Sequence, residues 1–161
     1  MRKKVGVISI WHVPNYGSVL QAYATQKVLE NLGCDCQMIN YHYPNEWQYS
    51  RGLVKPTLKN KVGVFLGLKP EHRRIKKIDI FKKLNFNFTR QYSSFEELYK
   101  EDWNAYHCIL VGSDQVWNYK FNKLDPTFLL AFLPDNIKRV AYASSFAVDT
   151  LPKDIRSEYR D

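Results

Sequence analysis

Val5-Gly6-Val7-Ile8-Ser9-Ile10-Trp11, and the turn His12-Val13-Pro14-Asn15-Tyr16-Gly17 that follows it, decide how this chain folds. The first run is apolar and β-branched, which suits a strand covered on both faces, as in a parallel sheet. Pro14, Asn15 and Gly17 mark a turn. Ser18 then reads as the N-cap of a helix. That helix runs to about Leu32, where Gly33 stops it. Cys36-Gln37-Met38-Ile39-Asn40-Tyr41 reads as a second strand. Strand, turn, helix and strand in this order make a βαβ unit, which calls for parallel strands and a right-handed crossover.

The same alternation returns after residue 92. Ser94-Phe95-Glu96-Glu97 fits a capping box, Ser94 at N-cap and Glu97 at N3, opening a short helix to about Lys100. Tyr106 to Val111 reads as a third strand ending at Gly112. Arg139 to Ala143 reads as a fourth, ending in Ser144-Ser145. Leu151 to Asp161 reads as the start of a helix, with Pro152 near its first position. The stretch 42–92 is less regular. It holds aromatic patches at Tyr41 to Tyr49 and Phe81 to Phe88, a predicted helix over Glu71–Leu84 and a short one at Leu58–Leu66. It reads as a basic insertion on the α/β framework, so residues 1–161 form one α/β domain, a parallel sheet with flanking helices.

Composition agrees with that class. The chain has 161 residues, 45% hydrophobic and 25% charged, as soluble globular domains do. No apolar run approaches the roughly 20 residues of a membrane-spanning helix, and the N-terminus lacks a secretory h-region and cleavage site. A cytoplasmic location is expected. Cys34, Cys36 and Cys108 are odd in number and show no C-x-x-C spacing. A disulfide framework and a zinc site are therefore disfavoured. The net charge of +8 is uneven: residues 51–90 hold twelve Lys/Arg against Glu71 and Asp79. Such a block suits phosphate, nucleic acid or an anionic membrane surface, or is a solvated helix face.

Ligands of parallel α/β sheets bind beyond the carboxyl ends of the strands, and three such ends are polar here. The first offers Asn15, Tyr16, Gly17, Ser18 and Gln21. The third offers Ser113, Asp114, Gln115, Trp117 and Asn118, and the fourth Ser144 and Ser145. Helical spacing groups Gln21 with Leu20, Ala24, Val28, Leu29 and Leu32, which turns its amide towards the sheet, either to meet a ligand or as a buried amide satisfied by backbone. Free N–H groups from Gly17 onward favour an anion. Asp114 is either a general base or a brace for the 112–118 loop. The serines read as hydrogen-bond donors, since no G-x-S-x-G elbow surrounds them. His12, His42, His72 and His107 lack ligand spacing, and His12 reads as structural. No dinucleotide or P-loop fingerprint is present.

Trp11-His12-Val13-Pro14-Asn15-Tyr16-Gly17-Ser18-Val19-Leu20-Gln21-Ala22-Tyr23-Ala24, Val111-Gly112-Ser113-Asp114-Gln115-Val116-Trp117-Asn118 and Ala141-Tyr142-Ala143-Ser144-Ser145-Phe146 resemble, in order and spacing, the polysaccharide pyruvyl transferase family. The resemblance implies two Rossmann-like halves facing a cleft, as in GT-B type glycosyltransferases. This chain would be the N-terminal half, with the C-terminal half absent and the fragment inactive alone. The implied reaction moves the enolpyruvyl unit of phosphoenolpyruvate onto two hydroxyls of a sugar, forming a cyclic pyruvate ketal and releasing phosphate. Phosphoenolpyruvate is then the donor substrate, a sugar the acceptor, and no cofactor or metal is implied. The turn 15–18 and some of Arg73, Arg74, Lys76 and Lys77 are candidates to hold the donor. Asp114 is the candidate base or orienter, and Asn15, Gln21 and Gln115 would hold hydroxyls. Trp117 is a candidate to stack on a sugar ring. Two alternatives remain: a nucleotide-sugar glycosyltransferase half-domain on the same fold, and a nucleic-acid-binding module using residues 51–90, where aromatics interleave with Lys/Arg. Peripheral membrane contact is a further expectation for the basic block.

Overall fold

The computed structural model describes residues 2–42, 57–122 and 125–159. Trp47, Tyr49 and the rest of the first aromatic patch beyond His42 lie outside those residues. The elements are β1 (Lys4–Ile8), α1 (Tyr16–Asn31), β2 (Asp35–Tyr41), α2 (Leu58–Leu66), α3 (Pro70–Asn85), β3 (Phe88–Tyr92), α4 (Phe95–Tyr99), β4 (Cys108–Asp114), α5 (Tyr119–Asn122) and β5 (Lys138–Ser144). The strands form one sheet in the order β3-β2-β1-β4-β5. Every pairing is parallel, with Val5 of β1 beside Cys36 on one side and Cys108 on the other. This is a Rossmann-like arrangement, as the βαβ reading required.

Successive residues of the central strands point to opposite faces. Val7, Met38 and Leu110 face α1 and α3, packing on Val19, Ala22 and Ile78. Ile8, Ile39, Ile109 and Val111 face the other way, onto Leu98 of α4, Trp103 and the segment carrying Phe128, Phe132 and Ile137. Both faces of β1 are therefore buried, which is why its sequence shows no polar alternation. The chain runs from β1 to β2 on one side, then returns past β1 to β4. The strand order reverses between β1 and β4, and such switch points are where ligands of open α/β sheets bind.

Several local readings change. Asn15, not Ser18, caps α1: its Oδ1 accepts from Gly17 N–H at 2.8 Å, while its carbonyl accepts from Val19 N–H. The face of α1 that meets the sheet carries Val19, Ala22, Thr25 and Gln26. Leu20, Val28 and Leu32 are exposed. Helix α1 is apolar on most of its circumference, so spacing alone did not pick the inner face. A strand also lies inside the 42–92 block: Phe88–Tyr92 pairs with β2 at the sheet edge. Its Arg90 and Gln91 are exposed, and that polar edge character hid it.

Four other readings fare differently. The Leu58–Leu66 helix forms as read, and Gly33, at φ 82°, follows the end of α1. Ser94 caps α4 by accepting from Glu97 N–H, but the Glu97 carboxylate accepts from Ser93 N–H instead of closing the box on Ser94. Residues 153–155 and 157–159 make two short 3-10 turns in place of the predicted α-helix.

Candidate functional site

Beyond the carboxyl ends of β1 and β4 lies a cleft of about 120 Å³ lined by Ile10, Val13, Pro14, Asn15, Ser18, Asp114, Gln115 and Phe121. It is smaller than the ~300 Å³ at which pockets for whole small molecules begin. Two of the three polar strand ends meet in it. Ser18, in the first turn of α1, donates from Oγ to Asp114 Oδ2 at 2.8 Å. The backbone N–H of Gln115 donates to Asp114 Oδ1 at 2.7 Å. Each carboxylate oxygen thus accepts one bond and keeps capacity for another. Asp114 braces its own loop, as one of its two readings had it, and it also lines the cleft.

The third polar end reaches the cleft through the backbone. Ser145 N–H donates to the Asp114 carbonyl at 3.1 Å, and Trp117 N–H donates to the Ser145 carbonyl at 3.2 Å. Ser144 Oγ donates to the Val111 carbonyl, and Ser145 Oγ accepts from Ala147 N–H. These serines shape the rim: the Ser144 hydroxyl is spent on the backbone, while Ser145 is exposed and uses its oxygen as an acceptor. The backbone is forced here: Asp114 has φ 131° and Ala143 φ 50°. Such conformations cost of order 1–3 kcal/mol at non-glycine residues and cluster at functional sites.

Other predicted residues lie further off. Ser113 is buried, within 3.4 Å of Thr25 Oγ1, and its carbonyl accepts from Ser9 Oγ. Gln21 is not in the cleft. It lines a neighbouring groove of about 410 Å³ between α1 and β4–β5, with Ser113, Tyr142 and Leu110. Trp117 is tied by Nε1 to the Phe128 carbonyl and packs on Phe146, which makes it a wall of the loop. Tyr16 and Gly17 are exposed at the start of α1. The Gly17 N–H is occupied by Asn15, so the expectation of free N–H groups from Gly17 onward fails at its first member. Of the cations, Lys76 donates to the Phe65 carbonyl of α2, and the Arg73 stem lies against Gly67. Lys77 alone shares a small cleft with Tyr16 and Leu20.

The hydrophobic lining, Ile10, Val13 and Phe121, was missed. Ile10 read as strand and Val13 as turn filler, while Phe121 follows Trp117 with no signal of its own. His12, which read as structural, lies in the interior. It is buried with its ring stacked on His42 at 5.6 Å. Its pKa falls to about 3, chiefly through burial and then through His42 and Lys82. Burial likewise raises the Cys36 thiol to about 12, which makes it inert. Among the described residues no group of three or more His, Cys, Asp or Glu gathers to hold a metal ion. No described helix is long and apolar enough to cross a membrane.

The model of the polysaccharide pyruvyl transferase family matches residues 15–161. No curated protein and no solved structure gives a match. The matched span contains all the polar groups of the cleft, from Asn15 and Ser18 to Asp114 and Gln115. The chain belongs to the polysaccharide pyruvyl transferases, enzymes that transfer a pyruvyl unit from phosphoenolpyruvate onto a sugar.

Proposed function

We propose that the cleft between β1 and β4 is the acceptor side of this transferase, with Asp114 receiving the proton of the attacking sugar hydroxyl. The observation that carries this reading is the charge of the lining. Among the described residues that line the cleft, the one ionisable group is the Asp114 carboxylate, with no Lys or Arg beside it. A polyanionic donor needs cations or open N–H groups; a neutral hydroxyl needs a carboxylate acceptor. Asn15 and Gln115 supply further polar contacts, while Ile10, Val13 and Phe121 offer an apolar floor for the ring. Gln21 stands in the adjoining groove, where its amide would meet a more distant part of the acceptor.

The chemistry then divides between two walls. A general acid protonates the methylene carbon of phosphoenolpyruvate, leaving a cationic centre at C2. The first sugar hydroxyl attacks C2 and gives its proton to Asp114. Phosphate leaves, the second hydroxyl closes the ring, and its proton is lost to base. No electron is gained or lost, so the reaction calls for no redox cofactor. The acid and the phosphate-binding cations belong to the opposite wall, in the two-domain GT-B arrangement. An intracellular donor such as phosphoenolpyruvate favours a cytoplasmic reaction. A base in this position contributes about 10²–10⁴-fold. Asp114→Asn in the active transferase should therefore lower kcat, followed by phosphate release, by at least ~100-fold, with KM for phosphoenolpyruvate unchanged. An unchanged kcat with a raised KM for phosphoenolpyruvate would instead make this wall the donor site.

A further inference from the structure

Helix α2 is packed inside out. Placed at 100° per residue, Gly63 and Val64 point inward. Gly63 is buried, and a side chain there would come within 2.5 Å of the His72 ring of α3. The opposite arc holds Leu58, Val62, Phe65 and Leu66, and these large apolar side chains are 79, 47, 74 and 59% exposed. Lys59 and Lys61 border the arc, one on each side, and both are exposed. The helix is well formed despite this. Thr57 caps its start, and Gly67, in the left-handed conformation, lets Leu68 N–H reach the Gly63 carbonyl at its end. Leu68, Lys69, Arg73 and Arg74 extend the same mixture beyond α2, all exposed. Residues 57–85 carry nine Lys/Arg against Glu71 and Asp79.

We infer that α2 docks this enzyme on an anionic lipid surface, its apolar arc entering the interface and the lysines meeting lipid headgroups. An apolar stripe edged by cations is the pattern of helices that lie in the plane of a membrane. Charge complementarity selects the partner. A second copy of this chain would bring its own positive hairpin against this one, whereas anionic lipid satisfies both the stripe and its border. Nucleic acid would satisfy the cations but leave four large apolar side chains in water. A surface-bound enzyme would meet acceptors held at the membrane.

Co-sedimentation of the chain with vesicles tests this directly. Vesicles of 30% phosphatidylglycerol in phosphatidylcholine should bind at least tenfold more protein than pure phosphatidylcholine at low salt. The Leu58→Ser, Phe65→Ser double variant should lose at least tenfold of that binding. Lys59→Glu with Lys61→Glu should lose it as well. All four positions are exposed, so the circular dichroism of the variants should match the parent. Equal binding of parent and apolar variant overturns the proposal. So does tight binding of a single-stranded oligonucleotide that the apolar variant retains, or self-association that the apolar variant abolishes. The readout is lipid binding, so it stands or falls separately from the role given to Asp114.

Discussion

Gly112 shows how one residue holds the site together. It sits in β4 at φ 137°, beside Tyr142 of β5, and a Cβ there would overlap the Tyr142 carbonyl oxygen. Only glycine permits the close approach that brings Asp114 into register with Ser144. Gly112→Ala is expected to cost more than ~1 kcal/mol, because the backbone conformation and the contact both fail. Urea unfolding would measure the loss, and a midpoint equal to the parent's would show that β5 can shift freely. In the sequence, Gly112 read as the end of a strand. Its role depends on a partner thirty residues later, which no local pattern reveals. Asp114 was legible because a lone carboxylate at a strand end stands out; its bond to Ser18 was not.

Helix α1 teaches the same lesson one level up. Its apolar residues surround the axis, so the sequence suggested a face containing Gln21, and the sheet selected another containing Gln26. Gln26 is 1% exposed. Its amide donates to the Asn85 carbonyl at 3.0 Å and accepts from Asn87 N–H at 3.1 Å. One side chain thus joins α1 to the link between α3 and β3. Gln26→Met keeps the volume but leaves both backbone groups without that partner. It should destabilise by about 1–3 kcal/mol, read as a lower urea midpoint, with phosphate release little changed. A buried amide is invisible to hydrophobic periodicity, which scores it as solvent-facing. The N-cap was misplaced for a related reason: Asn15 and Ser18 are both good caps, and Ser18 is instead drawn to Asp114, 96 positions away.

Across the whole molecule, the parallel sheet and its two-faced core were legible from the βαβ alternation, apart from the polar edge strand β3. The imidazoles between elements were not. His12 follows β1, His42 follows β2, and Lys82 of α3 stands near both. With a folded pKa of about 3 and an ordinary value near 6.5, His12 is neutral in both folded and unfolded chains at pH 7.5 and contributes no pH dependence there. As pH falls below about 6.5 the unfolded chain takes up a proton that the folded chain refuses. Stability then declines by up to about 1.4 kcal/mol per pH unit, down to about pH 3. Burial lowers the His42 pKa too and adds in the same direction. Urea midpoints at pH 7.5 and 4.5 should therefore fall more steeply for the parent than for His12→Phe. Parallel decline in the two proteins would mean that His12 is protonated in the folded state.

Strand β5 ends the sheet with most of its residues open to solvent. Such a margin can template another chain, the first step towards fibrils. Two details blunt it here. Lys138 and Arg139 put like charges at the entry of the strand, and the left-handed Ala143 bends its exit. The kink that shapes the rim beside Asp114 also spoils the flat, straight border on which amyloid growth depends.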